Sequence, residues 1–129
     1  MGILERLDIL IGRIKKRANM KKTTYPINPE EGVTVPDIVK ERYSDQAILC
    51  ANMCLYFIAT AISVIDYCEE NNIRVTGLEA FKLTGEGIQP SMEHSIDFNR
   101  DEDNWDKAIE FLSNVKDPTY LYEVWYDGY

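Results

Sequence analysis

The sequence predicts an α+β domain built on one long, buried central helix. Additional helices are expected to pack on a small, mostly antiparallel sheet of about three strands. Three observations carry this. Between Asp45 and Asp66 there is no charged residue, and apolar or small side chains point in nearly every direction of a helical wheel. Downstream of Asn72, period-two stretches alternate with turn residues. Between them lies one strongly amphipathic helical segment with a marked start and stop.

The first element is residues 2–22. Ile3, Leu4, Leu7, Leu10, Ile11, Ile14 and Ala18 recur at spacings of three and four, and Arg6, Arg13, Lys15, Lys16, Arg17, Lys21 and Lys22 lie mostly opposite. This is a basic amphipathic helix, free to dock on the core, on a second copy in a homodimer, or on a membrane surface. Met20 offers an alternative start. Residues 23–36 read as a linker, because Pro26, Pro29 and Pro36 disfavour regular structure and Gly32 adds a turn. Residues 37–129 form the domain proper. Pro36-Asp37 opens a short helix to about Tyr43, with Ile38, Val39 and Tyr43 facing inward.

The central helix is expected from Ser44 or Asp45 to Asn71-Asn72. Its uncharged run, Gln46 to Ile65, is twenty residues, so a membrane span is the competing reading. A polar stripe through Asn52, Thr60, Ser63 and Asp66, and the polar groups of Gln46 and Tyr56, favour a core helix. Cys50 and Cys54 would then sit one turn apart on one face. With Cys68 they make an odd number of thiols on one helix, a poor disulfide framework and too few ligands for zinc.

Ile73 and Val75 enter an extended segment that Gly77 breaks or brings close to another backbone. Residues 78–84 read as a strand, with helix as the alternative. Gly85-Glu86-Gly87 turns, and Met92 to Phe98 forms the next strand, with Met92, His94, Ile96 and Phe98 on one face. Residues 99–115 form a helix. Asn99 and Glu102 suggest a capping box, and Asp101, Glu102 and Asp103 suit the dipole of the first turn. Trp105, Ala108, Ile109, Leu112 and Val115 supply its apolar stripe, and Asp117-Pro118 ends it. Thr119 to Tyr126 closes the chain as an aromatic strand.

Charge is unevenly placed. The net charge of −8 divides into nine Lys/Arg against six Asp/Glu in residues 1–43 and five against sixteen in residues 44–129. An acidic body disfavours direct nucleic-acid binding and suits a basic protein partner. The candidate contact residues are Asp97, Asp101, Glu102, Asp103, Asp106 and Glu110. Asp97, Asn99 and Asp101 begin like a calcium loop, but Glu102 stands where glycine is needed and Ala108 where a bidentate glutamate is needed. His94-Ser95-x-Asp97 has triad residue types, yet strand neighbours point to opposite faces. His94 reads as a satisfied, half-buried side chain. Gly85-x-Gly87 lacks the following helix of a phosphate loop. No catalytic residue, cofactor or metal is expected, and no secretory leader is evident, which makes a cytoplasmic protein the expectation.

From Val35 onward the order of features resembles small immunity proteins encoded beside bacterial polymorphic toxins. The resemblance runs through the Pro36-Asp37-Ile38 helix, the long apolar stretch, Val75-Thr76-Gly77-Leu78-Glu79, Ile96-Asp97-Phe98, the acidic-capped helix with its tryptophan, and Tyr122-Glu123-Val124-Trp125-Tyr126. Such proteins have a Gly-Gly-Glu-type turn after a long helix; Leu78 replaces the second glycine here. The resemblance implies stoichiometric inhibition of a toxin, without turnover, and the acidic surface would suit a basic toxin domain. A membrane-associated protein, anchored by the N-terminal helix or the 46–65 segment, is the alternative.

Overall fold

The computed structural model describes residues 34–129 except Ala51 and Glu86. The expected helix at 2–22, the alternative start at Met20 and most of the 23–36 linker lie outside the described residues. The elements, in order, are α1 (Asp37–Tyr43), β1 (Ile48–Cys50), β2 (Met53–Phe57), α2 (Ile58–Glu70), β3 (Val75–Thr84), β4 (Gly87–Asp97), α3 (Trp105–Ser113) and β5 (Leu121–Tyr126). The fold is α+β, with these three helices and a five-stranded antiparallel sheet of order β1-β2-β5-β3-β4.

The expected central helix is the main correction. Only Ile58–Glu70 is helical, and residues 48–57 form a hairpin instead. Cys50 pairs with Met53 across the tight turn, and Asn52 has φ 64°, a left-handed conformation that asparagine tolerates well. β2 lies between β1 and β5 with apolar neighbours on both sides of the sheet. A strand buried on both faces loses the alternation of a half-solvated one and reads as a continuous apolar run. That is why it imitated a helix. The sheet accordingly has five strands rather than three. The two cysteines expected on one helix face part company: Cys50 joins the apolar cluster on one side of the sheet and Cys54 the cluster on the other. Among the described residues, no helix is long and apolar enough to cross a membrane.

The principal core lies between the helices and one sheet face. Val39 and Tyr43 of α1, Ala61, Val64, Ile65 and Cys68 of α2, and Ala108 and Leu112 of α3 pack on Tyr56, Leu78, Ala80, Tyr122, Val124 and Tyr126. Val35 and Ile73 complete it from the loops. Ile38, expected inside, is 40% exposed because the short helix α1 buries only its Val39–Tyr43 stripe. Several polar atoms in this layer find backbone partners, while the buried Tyr126 hydroxyl has none among the described residues. The Tyr43 hydroxyl donates to the Ser63 carbonyl at 2.9 Å, the Trp105 indole to the Ile73 carbonyl at 2.7 Å, and the Tyr122 hydroxyl to the His94 carbonyl at 2.9 Å. Asn72, at φ 55°, ends the α2 turn as expected.

Residues 78–84 are strand, within β3. β3 and β4 pair irregularly: Leu78 faces Ile96 and Ala80 faces Ser91, so β4 carries extra residues at 92–95. The Ser95 hydroxyl repairs the gap, accepting from the Ala80 amide at 2.9 Å and donating to the Ser91 carbonyl at 2.7 Å. This bulge overturns the simple alternation expected for Met92–Phe98 and leaves Met92 81% exposed.

Candidate partner-binding site

The six acidic candidates gather where β4 leads into α3. Asp97 ends β4, Asp101, Glu102 and Asp103 occupy the connecting loop, and Asp106 and Glu110 lie one turn apart on α3. All six are exposed. The local structure differs from the expected capping box. α3 begins at Trp105, not Asn99, so Asp101–Asp103 belong to the loop rather than to a first helical turn. Competing local bonds explain this. The Asn99 side chain accepts from the Asp101 amide at 3.0 Å, an Asx turn that diverts the backbone from helix. The Asn104 side-chain amide then donates to the Val75 and Asn99 carbonyls, at 3.2 and 2.8 Å. Asn104 is only 1% exposed and staples the loop to the start of β3.

Two cations organise this acidic rim. Arg74 Nε meets Asp103 Oδ1 at 3.2 Å, and Lys107 Nζ meets Glu102 Oε2 at 2.8 Å. The Lys107 ammonium also holds the Glu102 carboxyl below its ordinary value, through its hydrogen bond first and its charge second. Among the described residues Asp97, Asp101, Asp106 and Glu110 have no such ion pair. Asp97 is positioned by Gly77: a β-carbon there would lie 3.2 Å from Asp97 Oδ1 and from the Ile96 carbonyl oxygen. The glycine therefore serves close approach, one of the two roles its position suggested. The result is a negative, solvent-facing rim on a stapled loop, suited to meeting a positively charged surface.

Three other groupings escaped the sequence reading. His94 stacks on Tyr120 with ring centroids 4.3 Å apart, and its Nδ1 lies 2.9 Å from the Ser91 hydroxyl. Asp117 neighbours them and is held below its ordinary value, chiefly by hydrogen bonds from the Thr119 hydroxyl and amide and secondarily by Lys82 and His94. The half-buried His94 is thus satisfied, as its surroundings suggested, and its serine partner is Ser91 rather than the adjacent Ser95. Second, Arg42, Tyr43, Ser63, Asp66, Tyr67 and Glu70 line an open notch of about 180 Å³, with the Arg42 guanidinium 4.8 Å from the Tyr67 ring centroid. Third, Glu79 and Glu123 face each other across β3 and β5, away from the helices. Glu123 is only 5% exposed, and burial, reinforced by Glu79, pushes its carboxyl up to about 7. The sequence signal for it was a single carboxylate inside an aromatic strand. Among the described residues no group of three or more His, Cys, Asp or Glu side chains converges as a metal site.

No protein-family model matches the chain, and no curated protein or solved structure matches it either.

Proposed function

We propose that this protein is a non-catalytic binding module that acts by stoichiometric contact with another protein. More particularly, we infer a cytoplasmic bacterial immunity protein, which binds and inhibits a basic toxin domain. The observation that carries the reading is the exposed acidic rim of Asp97, Asp101, Glu102, Asp103, Asp106 and Glu110, which spans the end of β4, the following loop and α3, the loop being fastened by Asn104 and Arg74 to the start of β3. A surface held in shape before contact loses little freedom on binding, and fixed negative charge speeds encounter with a positive partner. The resemblance of the chain from Val35 onward to immunity proteins points the same way.

The test is coexpression with the product of the adjacent gene. The expected result is a 1:1 complex and protection of cells from that product. Asp101→Lys combined with Asp106→Lys should weaken the complex at least about tenfold and flatten its salt dependence, since charge pairs of this kind govern association. An adjacent gene product that neither binds nor harms cells would overturn the reading. Binding indifferent to the double charge reversal would move the interface away from the rim.

A further inference from the structure

On the sheet face opposite the three described helices, one corner gathers unlike groups. Glu79 of β3 faces Glu123 of β5, and two residues along each strand Gly77 faces Trp125. On its other side Gly77 faces Asp97 of β4. Side chains two apart on a strand share a face, so Glu123 and Trp125 project together, with Glu79 beside them. Gly77 brings no side chain to this layer, and Asp97 leans in instead: its Oδ1 lies 3.2 Å from where a β-carbon of Gly77 would stand. Cross-strand partners stand roughly 5 Å apart, and residues two apart on one strand about 7 Å. Three carboxylates and one indole therefore lie within reach of a single ligand.

These groups lack a counterpart. Among the described residues no ion pair or side-chain hydrogen bond involves Glu79, Asp97 or Glu123, and the cations that lie over rings, Arg42 and Lys82, sit on Tyr67 and Tyr120 rather than on Trp125. Glu123 is the sharpest case, since it is 5% exposed and faces a second carboxylate. Burial first, and then Glu79, push its carboxyl up to about 7, the response of a buried acid with no positive neighbour. Trp125 is 41% exposed and Asp97 is exposed, so the corner is open to solvent.

We propose that this corner receives an arginine side chain of the protein partner, its guanidinium stacked on the Trp125 indole and donating to Glu79, Glu123 and Asp97. The proposal rests on the binding-module reading above and adds Glu79, Glu123 and Trp125 to the rim at Asp97.

The chemistry of the corner selects a guanidinium. Among the described residues no three His, Cys, Asp or Glu side chains converge closely enough for a metal ion, so these carboxylates are spaced for something larger. A guanidinium carries five N–H donors in a flat fork that facing carboxylates can share. Its flat face stacks on an aromatic ring, and it is more weakly hydrated than an ammonium, so it gives up water more readily at a half-buried site. Its charge also relieves the repulsion between Glu79 and Glu123.

Titration of the full-length chain with ethylguanidinium at pH 8, followed through the indole N–H signals by NMR, tests this. The chain has two tryptophans, and Trp105, whose indole is bonded to the Ile73 carbonyl, serves as the reference. The Trp125 signal should shift saturably with a midpoint of roughly 1–10 mM, as for a ligand of so few atoms, while Trp105 stays still. N-ethylurea, the neutral isostere, should move neither. Glu123→Gln and Asp97→Asn, which keep the shape of the corner, should each weaken binding at least about threefold. Absence of a saturable shift overturns the proposal, as does propylammonium binding as tightly as ethylguanidinium, or binding indifferent to both variants. Glu123→Gln should also weaken the complex with the adjacent gene product at least about tenfold. A complex indifferent to Glu123→Gln overturns the proposal and leaves the binding-module reading standing. Saturation by ethylguanidinium without any such complex supports the cation site and overturns that reading alone.

Discussion

The two faces of the sheet are built from the same five strands and differ in what they bury. The helix-covered face is aromatic and neutral: Tyr56, Tyr120, Tyr122 and Tyr126 line it, and Tyr43, Tyr122 and Trp105 spend their polar atoms on backbone carbonyls. The opposite face, on which none of the three described helices packs, is aliphatic around a pair of facing carboxylates, Glu79 and Glu123. Buried polar groups cost little when bonded and much when charged and unpaired. The first face therefore anchors the fold, while the second carries a destabilising feature whose size depends on pH. Burial is equally deep on both, with Ile65 and Leu55 each 0% exposed.

That equality makes the strongest comparison. Ile65→Ala on the covered face should cost about 3–4 kcal/mol by urea unfolding, as for other fully buried aliphatic truncations. Leu55→Ala, on the opposite face, should cost nearly as much, because Leu55 is buried as deeply as Ile65. A loss under about 1.5 kcal/mol would mean that water reaches the site and the cavity term is absent.

The second comparison sets charge against neutrality. Glu123 has its carboxyl raised to about 7, first by burial and then by Glu79. A carboxyl raised on folding takes up its proton more readily in the folded than in the unfolded chain. Its contribution therefore grows as pH falls from about 7 toward the ordinary glutamate value of about 4.3, and is lost as pH rises through 7. Glu123→Gln should remove this slope. It should raise stability at pH 8 by about 1–2 kcal/mol, once solvent screening is allowed for, and change little at pH 5. An unchanged slope in the variant would mean that some other group supplies it. No neutral tyrosine of the covered face should mimic the effect, since burial moves Tyr56 and Tyr126 further from physiological pH, not toward it.

How much of this was visible in the sequence differs by region for physical reasons. α1 was legible from Pro36-Asp37, the end of α2 from Asn71-Asn72, and the buried stripe of α3 from Trp105, Ala108, Ile109 and Leu112, because local chemistry sets all three. The β1–β2 hairpin was not. Leu55 and Tyr56 point to opposite faces, yet both are buried, and apolar residues on both faces erase the period that separates strand from helix. The bulge at 92–95 and the central position of β5 arise from long-range pairing, which no local pattern encodes. The rim's residues were identifiable by charge, but their placement in a loop depended on Asn99 and Asn104. Those two are polar residues in a polar run, and only the folded chain reveals that Asn104 is buried.

The smallest expected effect lies at Gly77, where the face opposite the three described helices meets the acidic rim. Gly77 pairs with Trp125 of β5 on one side and with Asp97 of β4 on the other. Gly77→Ala puts a methyl 3.2 Å from both the Asp97 carboxylate oxygen and the Ile96 carbonyl oxygen. The carboxylate sits on a side chain that can swing away; the carbonyl belongs to the backbone and yields only by shifting β4. The expected loss is therefore about 1 kcal/mol, the lower end of overpacking costs, by urea unfolding. A pairing variant separates the two contacts. If Asp97→Ala restores most of the loss in the Gly77→Ala background, the carboxylate was the obstacle and Gly77 exists to seat a rim residue. If Asp97→Ala restores nothing, the close approach of the two backbones sets the cost, and Gly77 belongs to the sheet rather than to the binding surface.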